Sequence, residues 1–304
     1  MNILITGANG FVAQALIPKL LGKGHTVYGL SRHPPEAKDN LIPLTGDILK
    51  YELGLEEVPA GIESVQHLAG LHNLGEDKDG SIWATNVTGT RNVIDFCLKH
   101  KVPHLYFTST AYTFGRNVYE RSKAYCEYMV NNCDIPEVTI FKPSIIMGTL
   151  EHFYPGHFSQ FVKLLIKVHQ RAEVIRRKVE GTLRLPVIEP VFRMKANPQG
   201  KLNLVPISAV AEALATIDKP GVYWLTHPEP PTMEQLVGWI SEFILVKIKV
   251  DAGFKPTPIE TMFERMAVAF EPYLWGDDLK SDLSKCPAIG KDFIHDTIRR
   301  SLSL

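Results

Sequence analysis

Through its first 148 residues the chain alternates short apolar runs with amphipathic stretches. "NILITG", "TVYGLSR", "LIPLTGD", "SVQHLAG", "HLYFTST" and "VTIFKPSIIMG" have strand length, while "FVAQALIPKLLGKG", "SIWATNVTGTRNVIDFCLKH" and "YERSKAYCEYMVNN" carry helical periodicity. Buried strands alternating with helices imply βαβ units and a parallel sheet. From about Thr149 the rhythm changes, and "HFSQFVKLLIKVHQRAEVIRRKV" predicts a long helix where further sheet elements would otherwise come. "KLNLVPISAVAEALATI" and the strand "GVYWLT" read as a return to the first domain, and Thr232 is placed to cap the helix "MEQLVGWISEFI". The expectation is an α/β fold, a doubly wound parallel sheet with a smaller, mostly helical C-terminal substrate lobe. The sheet domain takes residues 1–148, with 202–228 returning to it, and the lobe takes 149–201 and 229–304.

The first strand runs into "TGANGFVA", with Gly7, Gly10 and Ala13 in a G-x-x-G-x-x-A arrangement that opens a helix. Gly7 allows a tight turn, Gly10 lets backbone approach a pyrophosphate, and Ala13 lets helix and strand pack closely, so the turn predicts dinucleotide binding. Enzymes that use NAD usually place Asp or Glu at the end of the second strand for the ribose hydroxyls. Here Ser31 and Arg32 stand there, a hydroxyl and a guanidinium suited to a 2′-phosphate, which favours NADP(H). Asp47 with Ile48, after the third strand, is expected to receive and cover the adenine. Leu68, Ala69 and Gly70 end the fourth strand with small residues where backbone passes close to the cofactor.

Charge removes some partner classes. Lys+Arg 33 against Asp+Glu 33 gives a net charge of +0 over 304 residues, so nothing global draws the chain to nucleic acid or an anionic membrane. The segment from Phe161 to Lys201 departs from that balance. It carries Lys163, Lys167, Arg171, Arg176, Arg177, Lys178, Arg184, Arg193, Lys195 and Lys201 against Glu173, Glu180 and Glu189. Two readings stand: a site for an anionic partner such as a coenzyme A phosphate or an acidic carrier protein, or a solvated helix face. Phe153, Tyr154, Phe158, Phe161, Leu164 and Leu165 likewise read either as an acyl pocket or as core. Cys97, Cys126, Cys133 and Cys286 show no metal-ligand spacing, and His152 and His157 have no carboxylate or cysteine to complete a set, so no metal is expected. Reduced cysteines, an apolar strand at the start and no apolar run of about 20 residues predict a soluble, cytoplasmic protein without a membrane span.

Tyr119 and Lys123 lie four apart, on one face of a helix that begins near Asn117, with Thr110 shortly before them. Many helices carry such a pair without catalysis, so the surrounding motifs have to decide. "TGANGFVA", "GDI", "HLAG", "NVTGT", "STAYTFG", "YERSK" and "KPSIIMG" resemble, in order and approximate spacing, the extended short-chain dehydrogenase/reductase superfamily, also described as NAD-dependent epimerase/dehydratase-like. "LRLP…GKLNLVPISAVAEAL" and "EPYLWGDDL" resemble its thioester-reductase and fatty-acyl-reductase branch. The resemblance implies a Rossmann-type domain and catalytic Thr110, Tyr119 and Lys123, with Ser122 in its usual place. It also implies cofactor contacts from Gly7, Asn9, Gly10, Phe11, Val12, Ser31, Arg32, Asp47, Ile48, Leu68, Ala69, Gly70, Thr108, Tyr119, Lys123, Pro143, Ser144 and Ile145.

The chemistry calls for these residue types. Reducing a carbonyl needs an acid at the oxygen, and a neighbouring ammonium is expected to lower the tyrosine pKa from about 10. Lys123 would also hold the nicotinamide ribose, Thr110 would steady charge developing on the oxygen, and Asn86 reads as a packing or relay residue. Two departures from the family pattern stand out. Only Arg116 to Tyr119 lead from Gly115 to the tyrosine, where many relatives insert a long loop, and Lys142 replaces an arginine common before Pro143, keeping charge but losing bidentate geometry.

The leading expectation is an NADP(H)-dependent reductase of an aldehyde, ketone or acyl thioester, with coenzyme A or a carrier protein as the candidate acyl carriers. A NAD-dependent sugar-nucleotide epimerase or dehydratase is the rival, opposed by Ser31/Arg32 and by Ala111-Tyr112 after Thr110 where dehydratases place Asp-Glu. A dinucleotide-binding redox sensor without turnover is the third. Helices over Ser81–His100 and Asn117–Asn132 pair across a two-fold axis in many relatives, and Trp83, Tyr125 and Tyr128 on their outer faces predict a homodimer.

Overall fold

The structure is a computed structural model that describes residues 1–149, 151–154, 156–184, 191–244 and 246–303. Part of the "LRLP" motif and Glu189 lie outside the described residues. The elements in chain order begin with β1 (Asn2–Thr6), α1 (Phe11–Gly22), β2 (Thr26–Ser31), β3 (Leu41–Thr45) and β4 (Ser64–His67). A helical stretch follows as α2 (Ser81–Trp83), a π-helical turn over Ala84–Thr88, and α3 (Gly89–Lys99), then β5 (His104–Thr108), α4 (Val118–Asn131) and β6 (Glu137–Pro143). Next come β7 (Ile145–Met147), α5 (Gly156–Leu183), β8 (Phe192–Lys195), β9 (Leu204–Pro206), α6 (Ile207–Thr216) and β10 (Gly221–Leu225). The chain continues through α7 (Met233–Ile244), β11 (Ile248–Asp251), α8 (Pro258–Met266) and α9 (Lys291–Leu302).

Seven strands form one parallel sheet in the order β10-β6-β5-β4-β1-β2-β3. Crossing to the other side of β1 after β3 makes the doubly wound Rossmann-type arrangement, with a switch point outside the carboxyl ends of β1 and β4. The central strands are apolar because helices cover both faces. Leu4, Val65, Leu105 and Phe107 are fully buried and pack with Val93, Phe96, Cys97 and Cys126 from α3 and α4. Burial of this kind, worth about 1.5–3 kcal/mol per large apolar side chain, fixes the strand ends on which the site is built.

The chain divides into two compact units. The first contains Met1–Ile146, Ile207–Pro228 and a short return, Lys280–Cys286. That return is tied to the sheet's edge: Asp282 N–H donates to Trp224 O at 2.9 Å, and Trp224 N–H donates to Asp282 Oδ2 at 2.8 Å. Nothing in the local sequence of 280–286 signals it. The second unit contains Met147–Pro206, Glu229–Leu279 and Pro287–Leu304. It holds α5, α7, α8 and α9 with a two-stranded parallel pair, β8 and β11. Thr232 caps α7 as expected, accepting from Gln235 N–H at 3.2 Å while Gln235 Oε1 accepts from Thr232 N–H at 3.0 Å.

Phe158, Phe161 and Leu165 are buried in this second unit, Phe161 edge-on to Phe263 and Phe270. They are core, so the acyl-pocket reading fails for them. Phe153 lines a cavity of about 90 Å³ with Gly148, Thr149, Phe293, Asp296, Thr297 and Arg300, small beside the roughly 300–1,000 Å³ of ligand pockets. Among the described residues no helix is long and apolar enough to cross a membrane.

Candidate functional site

Strand β1 ends in the glycine turn. Gly7 has φ +71°, and a Cβ there would lie 2.9 Å from Ala69 Cα and N, so the turn admits no side chain. A Cβ on Gly10 would stand 3.0 Å from Gly7 O. Helix α1 begins at Phe11 without a side-chain cap, which leaves its first N–H groups facing outward for an anion. Asn9 is exposed, and Phe11 and Val12 are half-buried. At the end of β2 the Ser31 hydroxyl is buried with no hydrogen-bond partner, and Arg32 beside it is exposed and in no ion pair among the described residues. Ser144, just after β6, has a second buried hydroxyl without a partner, between buried Pro143 and half-buried Ile145. A cradle that excludes Cβ atoms, an uncapped helix start and orphaned hydroxyls at two of the expected contact positions fit a dinucleotide.

The adenine end is less open than the sequence implies. Asp47 is half-buried, its Oδ1 accepting from Leu49 N–H at 3.0 Å. Ile48 is buried in the core against Gly89 of α3, where a Cβ would come 2.5 Å from its Cδ1. Its side chain is therefore taken up by packing. Leu68 and Ala69 are half-buried and Gly70 exposed, immediately beyond β4.

Helix α4 opens as its sequence predicts. Asn117 caps it, its side chain accepting from Glu120 N–H at 2.9 Å, and this sets Tyr119 and Lys123 one turn apart on the face toward β5. The Thr110 hydroxyl is hydrogen-bonded with the Tyr119 phenol, so the two expected catalytic oxygens are brought together. Lys123 is buried, its Nζ donating to Thr108 O at 2.7 Å and lying 4.7 Å from the Phe107 ring centroid. It also flanks Gly70, where a Cβ would sit 3.7 Å from Nζ.

The electrostatics correct one expectation. Burial pushes the Tyr119 phenol up to about 12, against the lowering pull of the Thr110 hydrogen bond, with the charges of Glu120 and Cys126 adding to the rise. Burial outweighs every favourable contribution to the phenolate, and the Lys123 ammonium donates to Thr108 O at 2.7 Å. Burial also lowers the Lys123 pKa, while Cys126 and Glu127 oppose that shift. Tyr119 is thus a neutral phenol around pH 7, an acid with its proton in place.

Three further groups hold these residues in position. Asn86, in the π-helical turn, has its Nδ2 donating to Ser122 Oγ and to Leu71 O, both at 2.9 Å, and its Oδ1 accepting from Leu71 N–H at 2.8 Å. It packs α4 to the loop after β4. His67 is buried, Nδ1 at 2.7 Å from Thr6 Oγ1 and Nε2 at 3.1 Å from Thr90 Oγ1. Since the Thr90 hydroxyl donates to Asn86 O at 2.6 Å, its oxygen accepts from Nε2–H, and Thr6 donates to Nδ1. Lys142 Nζ reaches Glu127 Oε1 at 2.5 Å and Oε2 at 2.7 Å, so the ammonium spans both oxygens after all, and Ser109 Oγ donates to Oε1 at 2.5 Å. His67 and Glu127 escaped the sequence reading. Their only signals are a histidine inside an apolar strand and a carboxylate four residues after Lys123.

Among curated proteins, the 2-alkyl-3-oxoalkanoate reductase of Stenotrophomonas maltophilia is 37% identical over 112 residues, 36% of this chain and 33% of that protein. Cinnamoyl-CoA reductase 1 of Petunia hybrida is 33% identical over 119 residues, 36% of this chain and 34% of that protein. The chain therefore matches about a third of the length of these relatives. Among solved structures, a thiolation-reductase di-domain from an archaeal non-ribosomal peptide synthetase superposes with a TM-score of 0.71 at 14% identity, over 99% of this chain and 90% of that one. A Bifidobacterium longum UDP-glucose 4-epimerase in complex with NAD+ and UDP gives a TM-score of 0.66 at 16% identity, over 100% of this chain and 98% of that one. These likenesses show a shared fold. The model of the NAD dependent epimerase/dehydratase family matches residues 3–175, more than half of the sequence, and the chain belongs to that family.

Proposed function

We propose that the protein is an NADP(H)-dependent oxidoreductase that reduces the carbonyl of an aldehyde, ketone or acyl thioester. The observation that carries the reading is the Thr110–Tyr119 hydroxyl pair beside buried Lys123, at the carboxyl end of β5. When bound, the dinucleotide supplies the hydride. Tyr119, neutral with its pKa raised to about 12, holds the proton that the carbonyl oxygen takes up. Thr110 offers that oxygen a second hydrogen bond, and Lys123 holds positive charge beside the site, ready to turn from Thr108 O toward a ribose hydroxyl. Gly7 and Gly10 with the α1 N-terminus take the pyrophosphate, and Ser31 with Arg32 takes the 2′-phosphate.

The partial matches to a 3-oxoalkanoate reductase and a cinnamoyl-CoA reductase support a carbonyl or thioester substrate. Fold likeness to an epimerase that binds NAD supports a second reading, reversible oxidation of a nucleotide sugar. One panel separates them: cinnamoyl-CoA, octanal and UDP-glucose, each with NADPH, NADH and NAD+. Turnover of either of the first two with NADPH is expected, whereas UDP-glucose conversion with retained NAD+ would replace the reading. Arg32→Ala should weaken NADPH by roughly ten- to a hundredfold and leave NADH unchanged. A fluorescence titration with an unchanged NADPH/NADH ratio would remove the NADP(H) assignment.

A further inference from the structure

The basic segment divides once its ion pairs are known. On α5 both carboxylates go to one cation: Arg176 takes Glu173 at 2.8 Å and Glu180 at 3.0 Å. Further on, Arg193 is held by Glu260 at 2.9 Å and stacks over Phe254. On α5 that leaves Lys163, Lys167, Arg171, Arg177 and Lys178 exposed and in no ion pair among the described residues, Arg171 having only Met262 Sδ at 3.7 Å. Four of them, Lys163, Lys167, Arg171 and Lys178, follow at intervals of four, four and seven residues, and Arg177 borders them. At about 100° per residue these four fall within roughly 80° of one another, on the side opposite buried Phe161, Val162, Leu165 and Val168. Val174, 55% exposed, lies within this stripe, and Ile175, 51% exposed, borders it. A helix face with its own acids withdrawn, cations in register and aliphatic groups among them is more than a solvated surface requires.

We propose that this face of α5 docks a partner protein through an acidic helix. The fifteen steps from Lys163 to Lys178 span about 22 Å, the length of a helix of four turns, and carboxylates at the same intervals on a partner helix meet each cation. A single coenzyme A phosphate cluster would need a compact group of cations instead of a ladder. Nucleic acid makes no use of the aliphatic groups in the stripe, and a chain of net charge +0 has no general attraction to it or to an anionic bilayer. The surface stands apart from the reductase reading and needs no turnover to be tested.

The probe is a blocked, fluorescein-labelled 16-residue helical peptide with glutamates at intervals of four, four and seven and leucines between them, titrated with the full chain by anisotropy at low salt. Binding is expected, weakened by about tenfold to a hundredfold in Lys163→Glu/Lys167→Glu/Lys178→Glu. It should be recovered by the triple variant with a peptide bearing lysines in place of the glutamates. That recovery also shows the variant folded. Val174→Ser/Ile175→Ser should lower affinity without changing its salt dependence. The proposal is overturned if the peptide fails to bind, or if a scrambled peptide of equal composition binds as well. It is equally overturned if coenzyme A or phosphatidylserine vesicles displace the peptide from the stripe, or if the triple variant binds as the native chain does.

Discussion

At the scale of single residues, Tyr119 and His67 show burial setting protonation in opposite directions. The phenol is kept neutral by a raised pKa, and the imidazole is kept neutral by a lowered one, about 3, through burial and then the charge of Lys123. The stability consequence for His67 follows from its sign. The unfolded chain takes up this proton near pH 6.5 and the folded chain only near pH 3, so stability is complete above about 6.5 and falls as the pH drops through the window between them. Native protein should lose about 2 kcal/mol between pH 7 and pH 5 on this account, and His67→Gln should flatten that limb by a similar amount. Urea unfolding at the two pH values measures it, and equal slopes for both proteins would refute it. For catalysis, Tyr119→Phe should cut turnover by on the order of 10²–10⁴ with little change in NADPH affinity, and Thr110→Ala by about 10²–10³. Lys123→Ala should damage both turnover and binding. A Tyr119→Phe variant reducing its substrate at the native rate would reduce the i, i+4 pair to a helix face.

At the scale of elements, the clamp between β6 and α4 bears most on the site. Lys142 of β6 and Glu127 of α4 form an ion pair with side-chain exposures of only 5% and 17%, and Ser109, next to Thr110, adds its hydroxyl. Removing one partner leaves a charge in low dielectric, so Lys142→Met should cost about 3–5 kcal/mol, whereas Lys142→Arg should cost little because the fork suits the carboxylate. A Lys142→Met protein with the native urea midpoint would show the pair to be idle. This clamp also marks where sequence reading stops. The glycine turn, the βα alternation, the Thr232 cap and the α4 start at Asn117 were legible because each depends on residues within about one turn of one another. The Glu127–Lys142 pair spans fifteen positions and two elements. The π-helical turn at Ala84–Thr88 has no local signature in "ATNVT", and the rise of the Tyr119 pKa depends on burial that spacing cannot express.

At the scale of the whole molecule, neutrality conceals segregation: a balanced chain gathers unpaired cations on one helix and leaves an aromatic patch on another part of its surface. In the first unit Trp83 of α2 and Tyr125 and Tyr128 of α4 are 41%, 40% and 64% exposed. Their rings are neighbours, Trp83 to Tyr125 at 5.8 Å and Tyr125 to Tyr128 at 6.3 Å. Internal packing is therefore excluded for Tyr128 and only half met for the other two. Clustered aromatic rings on a solvent face are the composition of an interface centre, since each buries much apolar area at small entropic cost. The patch is self-complementary if a two-fold axis passes between paired α2 and α4 faces, which requires the same residues on both copies. We therefore expect a homodimer, sedimenting at about twice the 34.1 kDa chain mass at micromolar concentration. Trp83→Glu/Tyr128→Glu would set like charges against each other across the axis and should yield the single chain with NADPH binding intact. A native protein that sediments only as the 34.1 kDa species leaves the aromatic patch without this partner.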